Sequence, residues 1–458
     1  MLESLAPFRF LARRGLLRAG LAVLLLGLSA ARAHDDDRGK GKQKWVTSWA
    51  ASAHGLYPSG TAVAQPNLAF AFPGGTTSAN DQTFRLIVRP NLWGERFRIR
   101  FSNFFGPQAV TLDDFYLGLQ ASAGAIVPGT NTRVTFGRSR SVTIPPGQSV
   151  WSDAVDLDFV DQVETFALEG RKLAVSFHAV GNSGSMTWHS KGMQTSYITS
   201  PNTGSHGADL GDVAFPNSTT SWYFLDALDV MAPQDTSLVV AFGDSITDGT
   251  ASTLNEDDRW PDDLFRRLRA AYGQRISLVN AGIGGNRIVT DAGAGGPPAL
   301  SRLERDIFSL GSVSAVVWLE GINDLSGGAS AETVIAGIQE GERQIHGRGL
   351  KLIQATITSA KGNNTANPAA DLDRDNRRKT VNSFIRNNAQ LFDSVADMDA
   401  VTIDPATGEM QAEFLSNSTL NTIDHLHPNR AGYLKMGGSV DISVLAPPSG
   451  RNHRDDDD

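Results

Sequence analysis

The 458-residue sequence contains no cysteine. Disulfide bonds, thiolate nucleophiles and sulfur-ligated metal sites are therefore excluded. Positive charge is also limited, because 41 Lys and Arg residues are outnumbered by 49 Asp and Glu residues, which gives a formal net charge of −8. The two signs are interspersed and form no basic stripe, so we expect no nucleic-acid partner.

Long apolar runs are scarce as well. The apolar stretch 19–28 is shorter than the roughly 20 residues of a membrane-spanning helix. Arginines precede it and Ala31-Arg32-Ala33 follows it, which is the pattern of a signal peptide with a small-residue cleavage site. We therefore predict a signal peptide over 1–33, export to the periplasm or out of the cell, and no stable membrane span after cleavage. The pair Arg13-Arg14 resembles a twin-arginine signal, and an uncleaved membrane anchor is the alternative.

Charged residues are concentrated in two segments that flank the rest of the chain. Residues 34–44 read HDDDRGKGKQK, and the sequence ends in RNHRDDDD. Segments of this composition have too few apolar side chains to build a core. We predict a disordered linker over 34–44 and a disordered acidic tail over 448–458, and we assign no chemistry to either.

Between these ends, the hydrophobic period changes once. Residues 45–235 contain short stretches in which apolar and polar residues alternate, with Gly, Pro, Asn and Asp between them. This pattern predicts a β-sandwich or a jelly-roll-like domain. In residues 236–447, buried strand-like runs alternate with amphipathic helical segments, which predicts a parallel sheet covered by helices on both faces. Ligands bind such sheets at the carboxyl ends of the strands.

Four segments with chemically useful side chains follow predicted strands or lie near the C-terminus. FGDSITDG (242–249) presents Ser245 in a sharp turn, and NAGIGGNRI (280–288) has paired glycines that free a backbone N–H. The carboxamide of Asn323 in LEGINDL (319–325) adds a side-chain donor. DHLHPNRAGY (424–433) contains Asp424 and His427, three residues apart. A serine needs a base to accept its proton, and the base needs an acid that fixes its tautomer.

Most other histidines are interpreted as ordinary structural residues. His425 is adjacent to Asp424 and is predicted to point away from it, either as a surface group or as a group that supports the site without touching the substrate. A metal pair made of His425 and His427 is the alternative, but no other metal ligands cluster nearby in the sequence. His54, His178, His189 and His206 are scattered through the β-rich part and are predicted to be loop or core histidines.

These four segments, in this order, resemble the blocks of the GDSL, or SGNH, hydrolase family over residues 237–445. The resemblance implies a flavodoxin-like three-layer α/β/α domain with a parallel sheet, and no metal or cofactor. It also implies that Ser245 is the nucleophile, His427 the base and Asp424 the acid. The Ser245 N–H, the Gly285 N–H and the Asn323 side chain would then form the oxyanion hole.

The resemblance leaves some details of the second block open. Either Gly284 or Gly285 is the backbone donor, and we favour Gly285 because it precedes Asn286. The resemblance also implies that Asp244, Asp324 and Asn286 support the loops rather than react.

The predicted function is that of a serine esterase acting on short-chain acyl or acetyl esters, including esters of carbohydrates, with a small-molecule or polysaccharide substrate. A lipase or lysophospholipase with longer acyl chains is the alternative, and an acyltransferase uses the same residues. A non-catalytic carbohydrate-binding or attachment protein on the same scaffold is the alternative of another class. Trp188, Trp222 and Tyr223 are interpreted either as exposed aromatic residues that stack on sugar or as core residues.

Overall fold

The computed structural model describes residues 42–416 and 424–448. The predicted signal peptide, most of the predicted linker and nearly all of the predicted tail lie outside the described residues and stay predictions. The first strand begins at Gln43 and so includes the last two residues of the predicted linker. Across the described ranges, no helix combines the length and apolar character that a membrane span requires.

Residues 43–235, called the β half here, contain strands and only short helical turns. In chain order the strands are β1 Gln43–Ala50, β2 Gly55–Leu56, β3 Ser78–Val88, β4 Arg96–Ser102, β5 Val110–Ser122, β6 Ala125–Ile126, β7 Thr132–Arg133, β8 Ser141–Ile144, β9 Ser149–Trp151, β10 Val155–Asp156, β11 Leu173–Ser185, β12 Thr187–His189, β13 Ser196–Ile198, β14 Asn217–Thr219, β15 Trp222–Tyr223 and β16 Leu225–Pro233.

Two antiparallel sheets of the β half share an aromatic core. One sheet has the order β1-β16-β4-β10, with β9 also paired to β4, and the other has the order β14-β13-β3-β11-β5-β6, with β7 and β8 paired to β5. The ring of Phe101 in β4 lies 4.8 Å from that of Phe177 in β11 and 5.1 Å from that of Phe115 in β5, centroid to centroid. The predicted β-rich N-terminal domain is therefore confirmed.

Residues 237–448, called the α/β half here, alternate strands with helices as predicted. The strands are β17 Ser237–Gly243, β18 Ile276–Gly282, β19 Val313–Leu319, β20 Lys351–Ala355 and β21 Ser394–Ala396. The helices are α1 Ser245–Asp248, α2 Trp260–Tyr272, α3 Ala299–Leu303, α4 Ile322–Ser326, α5 Ala331–Gly347, α6 Pro368–Asn387, α7 Met398–Thr402 and α8 Arg430–Gly438.

The five strands of this half form one parallel sheet in the order β18-β17-β19-β20-β21. Counted along the chain this order is 2-1-3-4-5, the flavodoxin-like order. Val239 and Ala241 of β17 share an apolar cluster with α2 and α8. Val240 and Phe242 share another cluster with α3, α5 and α6. Every residue of β17 is buried, in agreement with its uninterrupted apolar sequence.

Two local features differ from the sequence-based expectations. The sequence SVADMDA (394–400) predicts a last short strand, but the strand ends at Ala396 and a short helix begins at Met398, where the Asp397 carboxylate accepts the Ala400 N–H. The sequence around Ser245 predicts a turn with a helix farther on, but α1 begins at Ser245 itself. In both places an aspartate side chain caps the first turn of the helix. The helix start is therefore set by one polar residue and not by the spacing of apolar residues.

The two halves pack against each other through β1, and the described chain from Gln43 onward forms one compact unit. The Thr47 carbonyl accepts a hydrogen bond from the Ser277 hydroxyl of β18 at 2.8 Å. The Thr47 hydroxyl oxygen accepts the Gly311 N–H at 2.8 Å. One apolar cluster contains residues of both halves, including Val46 of β1 and Val316 of β19. The change of hydrophobic period near residue 236 therefore marks a change of secondary structure within one packed body.

A buried arginine connects the carboxyl ends of the neighbouring strands β17 and β18. Arg302, 1% exposed, donates to the Gly243 carbonyl of β17 at 2.9 Å and to the Ala281 carbonyl of β18 at 2.8 Å. It also donates to Asn286 Oδ1 at 2.8 Å and to Asp306 Oδ2 at 3.1 Å. Its guanidinium stacks on the ring of Phe242, 3.9 Å from the centroid. One side chain therefore fixes the spacing of the strand ends and of the loop after β18.

We predict that Arg302→Met lowers the free energy of unfolding by about 3–5 kcal/mol, because several buried acceptors lose their donor. Denaturant unfolding followed by circular dichroism measures this change. Arg343→Met is the matched control, because Arg343 pairs with Glu340 at side-chain exposures of 69% and 40%, and exposed pairs contribute at most about 1 kcal/mol. Equal losses in the two variants would contradict the central role of Arg302.

Candidate active site

The turn after β17 presents Ser245 at the carboxyl edge of the sheet. Gly243 is required there because a Cβ on it would overlap the Leu319 carbonyl oxygen and the Thr247 hydroxyl. Asp244 caps α1, and its Oδ1 accepts the Ile246 N–H at 2.9 Å. Ser245 is the first residue of this helix and is 7% exposed.

The structure brings Ser245, His427 and Asp424 together although 182 residues separate the serine from the histidine. Ser245 Oγ lies 2.8 Å from His427 Nε2. His427 Nδ1 lies 2.6 Å from Asp424 Oδ2. Asp424 Oδ1 accepts the backbone N–H groups of His427 at 2.9 Å and Leu426 at 3.0 Å, which holds the carboxylate in one orientation.

The electrostatic environment keeps Asp424 ionised. Its burial favours the neutral acid, but the His427 side chain and the two backbone N–H groups lower the pKa of Asp424 to about 2. A carboxylate can only accept, so His427 Nδ1 carries the proton and donates it to Asp424. The pKa of His427 is lowered chiefly by burial, against the opposing effect of Asp424. The neutral ring therefore offers the lone pair of Nε2 to the Ser245 hydroxyl.

Two backbone N–H groups, those of Ser245 and Gly285, are candidate donors near the Ser245 hydroxyl. Within residues 42–416 and 424–448, the N–H groups of Ser245 and Gly285 have no hydrogen-bond partner. The Gly284 N–H is already bonded to Asp248 Oδ2 at 2.9 Å. Gly285 has φ +80°, and the space where its Cβ would lie is open. The geometry therefore favours Gly285 over Gly284 as the free backbone donor.

The side chain of Asn323 lies next to these donors, near the start of α4. Its Nδ2 donates to the Asn286 carbonyl at 2.9 Å and lies 3.4 Å from Asp244 Oδ2. Asn286 is fully buried, and its own Nδ2 donates to the carbonyls of Gly295 at 2.7 Å and Pro297 at 2.8 Å. The backbone of Asn286 in the loop after β18 is therefore bonded to α4, and its side chain is bonded to Gly295 and Pro297.

Two buried carboxyl groups beside the site bond to backbone N–H groups. Burial, with a smaller contribution from the charge of Asp324, raises the pKa of Asp244 to about 7 against the opposing effect of the Ile246 N–H. Asp324 accepts the Ile288 N–H at 2.9 Å and the Val289 N–H at 3.3 Å, and burial raises its pKa against these bonds. Neither carboxyl group is bonded to the His427 ring in the described chain.

His425 does not join the triad. Its φ is +53°, and its Nδ1 lies 3.8 Å from Glu409 Oε2, whereas both ring nitrogens of His427 are bonded to Ser245 and Asp424. The two histidines therefore do not converge on one point. In the part of the chain that the structure describes, no group of three or more His, Asp or Glu side chains is arranged to hold a metal ion.

The aromatic residues considered for sugar stacking are buried. Trp188 is 3% exposed, Trp222 is 5% exposed and Tyr223 is 0% exposed. Trp188 and Tyr223 belong to the small sheet β15-β12-β2, and their rings lie 5.8 Å apart. The interpretation as exposed stacking residues is therefore wrong, and these side chains belong to the core of the β half.

Sequence reasoning missed three charged residues close to the site. Asp248, at the end of α1, contacts Gly284 and lies 3.2 Å from His189, and Lys191 lies beside them. Asp248 is visible within the FGDSITDG motif, three residues after Ser245. His189 and Lys191 come from the β half, and no local pattern relates them to the motif.

Comparison with solved structures finds matches to part of this chain, among them the following three. A lipase/acylhydrolase from Enterococcus faecalis is 24% identical, over 46% of this chain and 94% of that one, with a TM-score of 0.34. A lipolytic protein of the G-D-S-L family from Desulfitobacterium hafniense DCB-2 is 19% identical, over 46% and 99%, with a TM-score of 0.33. The acetyl xylan esterase AlAXEase is 20% identical, over 44% and 96%, with a TM-score of 0.33.

A search of curated proteins finds no match to this sequence. The model of the GDSL-like lipase/acylhydrolase family matches residues 241–435, a range that includes Ser245, Gly285, Asn323, Asp424 and His427. The family resemblance inferred from the four segments is confirmed, and residues 241–435 form a domain of the GDSL-like lipase/acylhydrolase family.

Proposed function

We propose that the protein is a serine esterase that hydrolyses carboxylic esters through an acyl-enzyme. The observation that carries this proposal is the continuous chain of hydrogen bonds from Ser245 Oγ through the His427 ring to Asp424, at 2.8 and 2.6 Å. A hydroxyl in contact with a neutral imidazole, which in turn contacts a carboxylate, is the arrangement that activates a serine.

The proton follows the same path as the hydrogen bonds. His427 Nε2 accepts the proton of Ser245 while Oγ forms a bond to the acyl carbon, and Asp424 stabilises the resulting imidazolium. His427 then donates this proton to the leaving alcohol as the carbon–oxygen ester bond breaks. A water molecule attacks the acyl-enzyme with His427 again as base, which releases the acid and restores Ser245.

The negative oxygen that forms on the acyl carbon requires donors that are fixed in advance. The N–H groups of Ser245 and Gly285 are free for this role among the described residues. One hydrogen of Asn323 Nδ2 is bonded to Asn286, and the second makes only the 3.4 Å contact with Asp244. This contact is longer than an ordinary hydrogen bond, so the second hydrogen is available to the oxyanion.

We further propose that the substrates are short-chain acyl or acetyl esters, including esters of carbohydrates. The support is the polar character of side chains that border the triad. Exposed Thr61 lies against Gly284, exposed Asn363 donates to the Asp424 carbonyl, and His425 lies near Glu409. Hydroxyl, amide and imidazole groups suit a polyhydroxy alcohol better than an acyl chain of many carbons. The composition of residues 1–33 supports the further proposal that the protein is exported.

We predict that the purified protein hydrolyses p-nitrophenyl acetate and butyrate faster than the palmitate ester, and that Ser245→Ala removes this activity. The residue lost is the nucleophile itself, so kcat falls to background. Initial rates across a chain-length series, for the wild type and the variant side by side, measure the effect. Ser314→Ala is the matched control, because it removes a hydroxyl that only bonds to the Leu238 carbonyl in the sheet.

Each other result of this series selects a different function. A preference for palmitate would favour a lipase or lysophospholipase. Faster consumption of ester in the presence of a sugar acceptor, with acylated sugar as product, would indicate acyl transfer. Equal rates in the wild type and in Ser245→Ala would contradict catalysis and favour the carbohydrate-binding alternative.

We predict that kcat/KM falls at acidic pH with a midpoint below about 6.5, the ordinary value for histidine. His427 acts as a base only when neutral, and burial lowers its pKa, so activity is present above that pKa and is lost as the pH falls through it. Asp424→Asn removes a charge that raises the pKa of His427, so its midpoint lies lower still, while kcat falls by about 10⁴. A pH–rate profile measures both effects, and a midpoint above 6.5 would speak against His427 as the base.

We predict that Asn323→Ala lowers kcat by about 10²–10³ with little change in KM, because the donor acts on the oxyanion and not on the bound ester. Steady-state kinetics on p-nitrophenyl acetate separates the two constants. Asn388→Ala is the control, since the Asn388 amide only donates to the Phe384 carbonyl at the end of α6. A change in KM alone would assign Asn323 to substrate binding instead.

A further inference from the structure

Asp248 is buried between the loop after β18 and two basic side chains of the β half. It is 2% exposed, and its Oδ2 accepts the Gly284 N–H at 2.9 Å. Its Oδ1 lies 3.2 Å from His189 Nε2. A single carboxylate therefore connects the residue before Gly285 to β12 of the other half.

The contacts of His189 require both ring nitrogens to carry a proton. Nδ1 lies 2.8 Å from the Ser52 carbonyl, and Nε2 lies 3.1 Å from the Lys191 carbonyl as well as near Asp248. A carbonyl oxygen can only accept, so each nitrogen donates and the ring is an imidazolium. Burial opposes this charge, but Asp248 and the two carbonyls raise the pKa of His189 above its ordinary value.

Lys191 brings a second positive charge to the same carboxylate. It is 1% exposed, and its Nζ donates to the Thr250 hydroxyl just after α1. A Cβ on Gly284 would lie 2.8 Å from this Nζ, so the ammonium group lies directly against the loop that precedes Gly285. Burial lowers the pKa of Lys191, and the charges of Asp248 and Asp244 counter this effect.

We propose that His189 and Lys191 are positioning residues of the active site, which act through Asp248 to hold Gly284 and thereby aim the Gly285 N–H at the oxyanion. This inference rests on the proposed esterase function and deepens it. The Gly284 N–H is fixed by Asp248, so the orientation of the next peptide, which carries the Gly285 N–H, depends on the position of that carboxylate. The β half thereby supplies part of the catalytic geometry.

A purely stabilising role explains the charges less well. Removing three charged groups from water is costly, and apolar side chains of similar volume often stabilise a protein equally well. Charged groups with defined hydrogen bonds do, however, fix one geometry. A loop whose free N–H must lie within hydrogen-bond reach of a reacting oxygen needs such a constraint.

The test compares His189→Gln and Lys191→Met with the wild type, in the full chain, at a temperature where circular dichroism shows each variant folded. Loss of one oxyanion donor costs about 10²–10³ in rate, and a displaced donor should cost about 10–100-fold in kcat with KM nearly unchanged. The affinity for a boronic acid, which forms a tetrahedral adduct on Ser245, should fall by the same factor as kcat. Lys191→Arg, which keeps the charge, should recover part of the loss.

The matched control is His178→Gln. His178 is also a buried histidine of the β half, and its ring contacts Asp113 at 2.7 Å and Asp81 at 3.0 Å. This variant should lose stability and keep its kcat. An equal loss of kcat in His178→Gln and His189→Gln would overturn the inference, because both would then reflect general damage to the β half.

Hydrogen exchange measured by mass spectrometry separates this inference from the proposed function. In His189→Gln, exchange in a peptide covering residues 282–288 should increase relative to the wild type and to His178→Gln. If the wild type hydrolyses no ester, the esterase proposal fails and the exchange rates alone decide the positioning role. Unchanged exchange in both His189→Gln and Lys191→Met would overturn the inference whatever the activity.

Discussion

The geometry of the candidate active site depends on the buried guanidinium of Arg302. It bonds to the carbonyl groups at the ends of β17 and β18 and to the side chain of Asn286. Gly243 precedes Ser245 by two residues, and Asn286 follows Gly285 directly. The hydroxyl of Ser245 and the N–H of Gly285 are therefore attached to backbone segments that one side chain holds in register, which is the preorganisation that oxyanion stabilisation requires.

The same region also joins the two halves of the protein. Arg305, three residues after Arg302, shares Asp306 with it and donates to the Ala53 carbonyl of the β half at 2.7 Å. On the opposite side of the loop after β18, Asp248 lies 3.2 Å from His189 of β12. The loop is thus held between two buried charge clusters, each of which includes atoms of the β half. This arrangement explains why the β half packs as part of one body and not as a separate module.

Most of the fold and the triad could be predicted from the sequence because their signals are local. The apolar run of β17 predicts a buried parallel strand, and the positions of the first three segments at strand ends follow from the parallel sheet. Arg302 could not be recognised, since it lies in a helical segment with charged neighbours and looks like a solvent-exposed residue. Its burial depends on carbonyl groups contributed by two distant strands, and no periodic pattern encodes such a contact.

The sequence around Gly284 and Gly285 does not determine which of the two N–H groups is free. Both glycines lie in the same turn, and each offers one N–H. Only the partners from elsewhere distinguish them, because Asp248 accepts the N–H of Gly284, and Lys191 and Thr61 fill the space where its Cβ would lie. Gly284 is therefore the anchored residue, and the positive φ of Gly285 turns the following peptide away from that anchor. The free donor is therefore at Gly285, directly after the residue whose own N–H is bonded to Asp248.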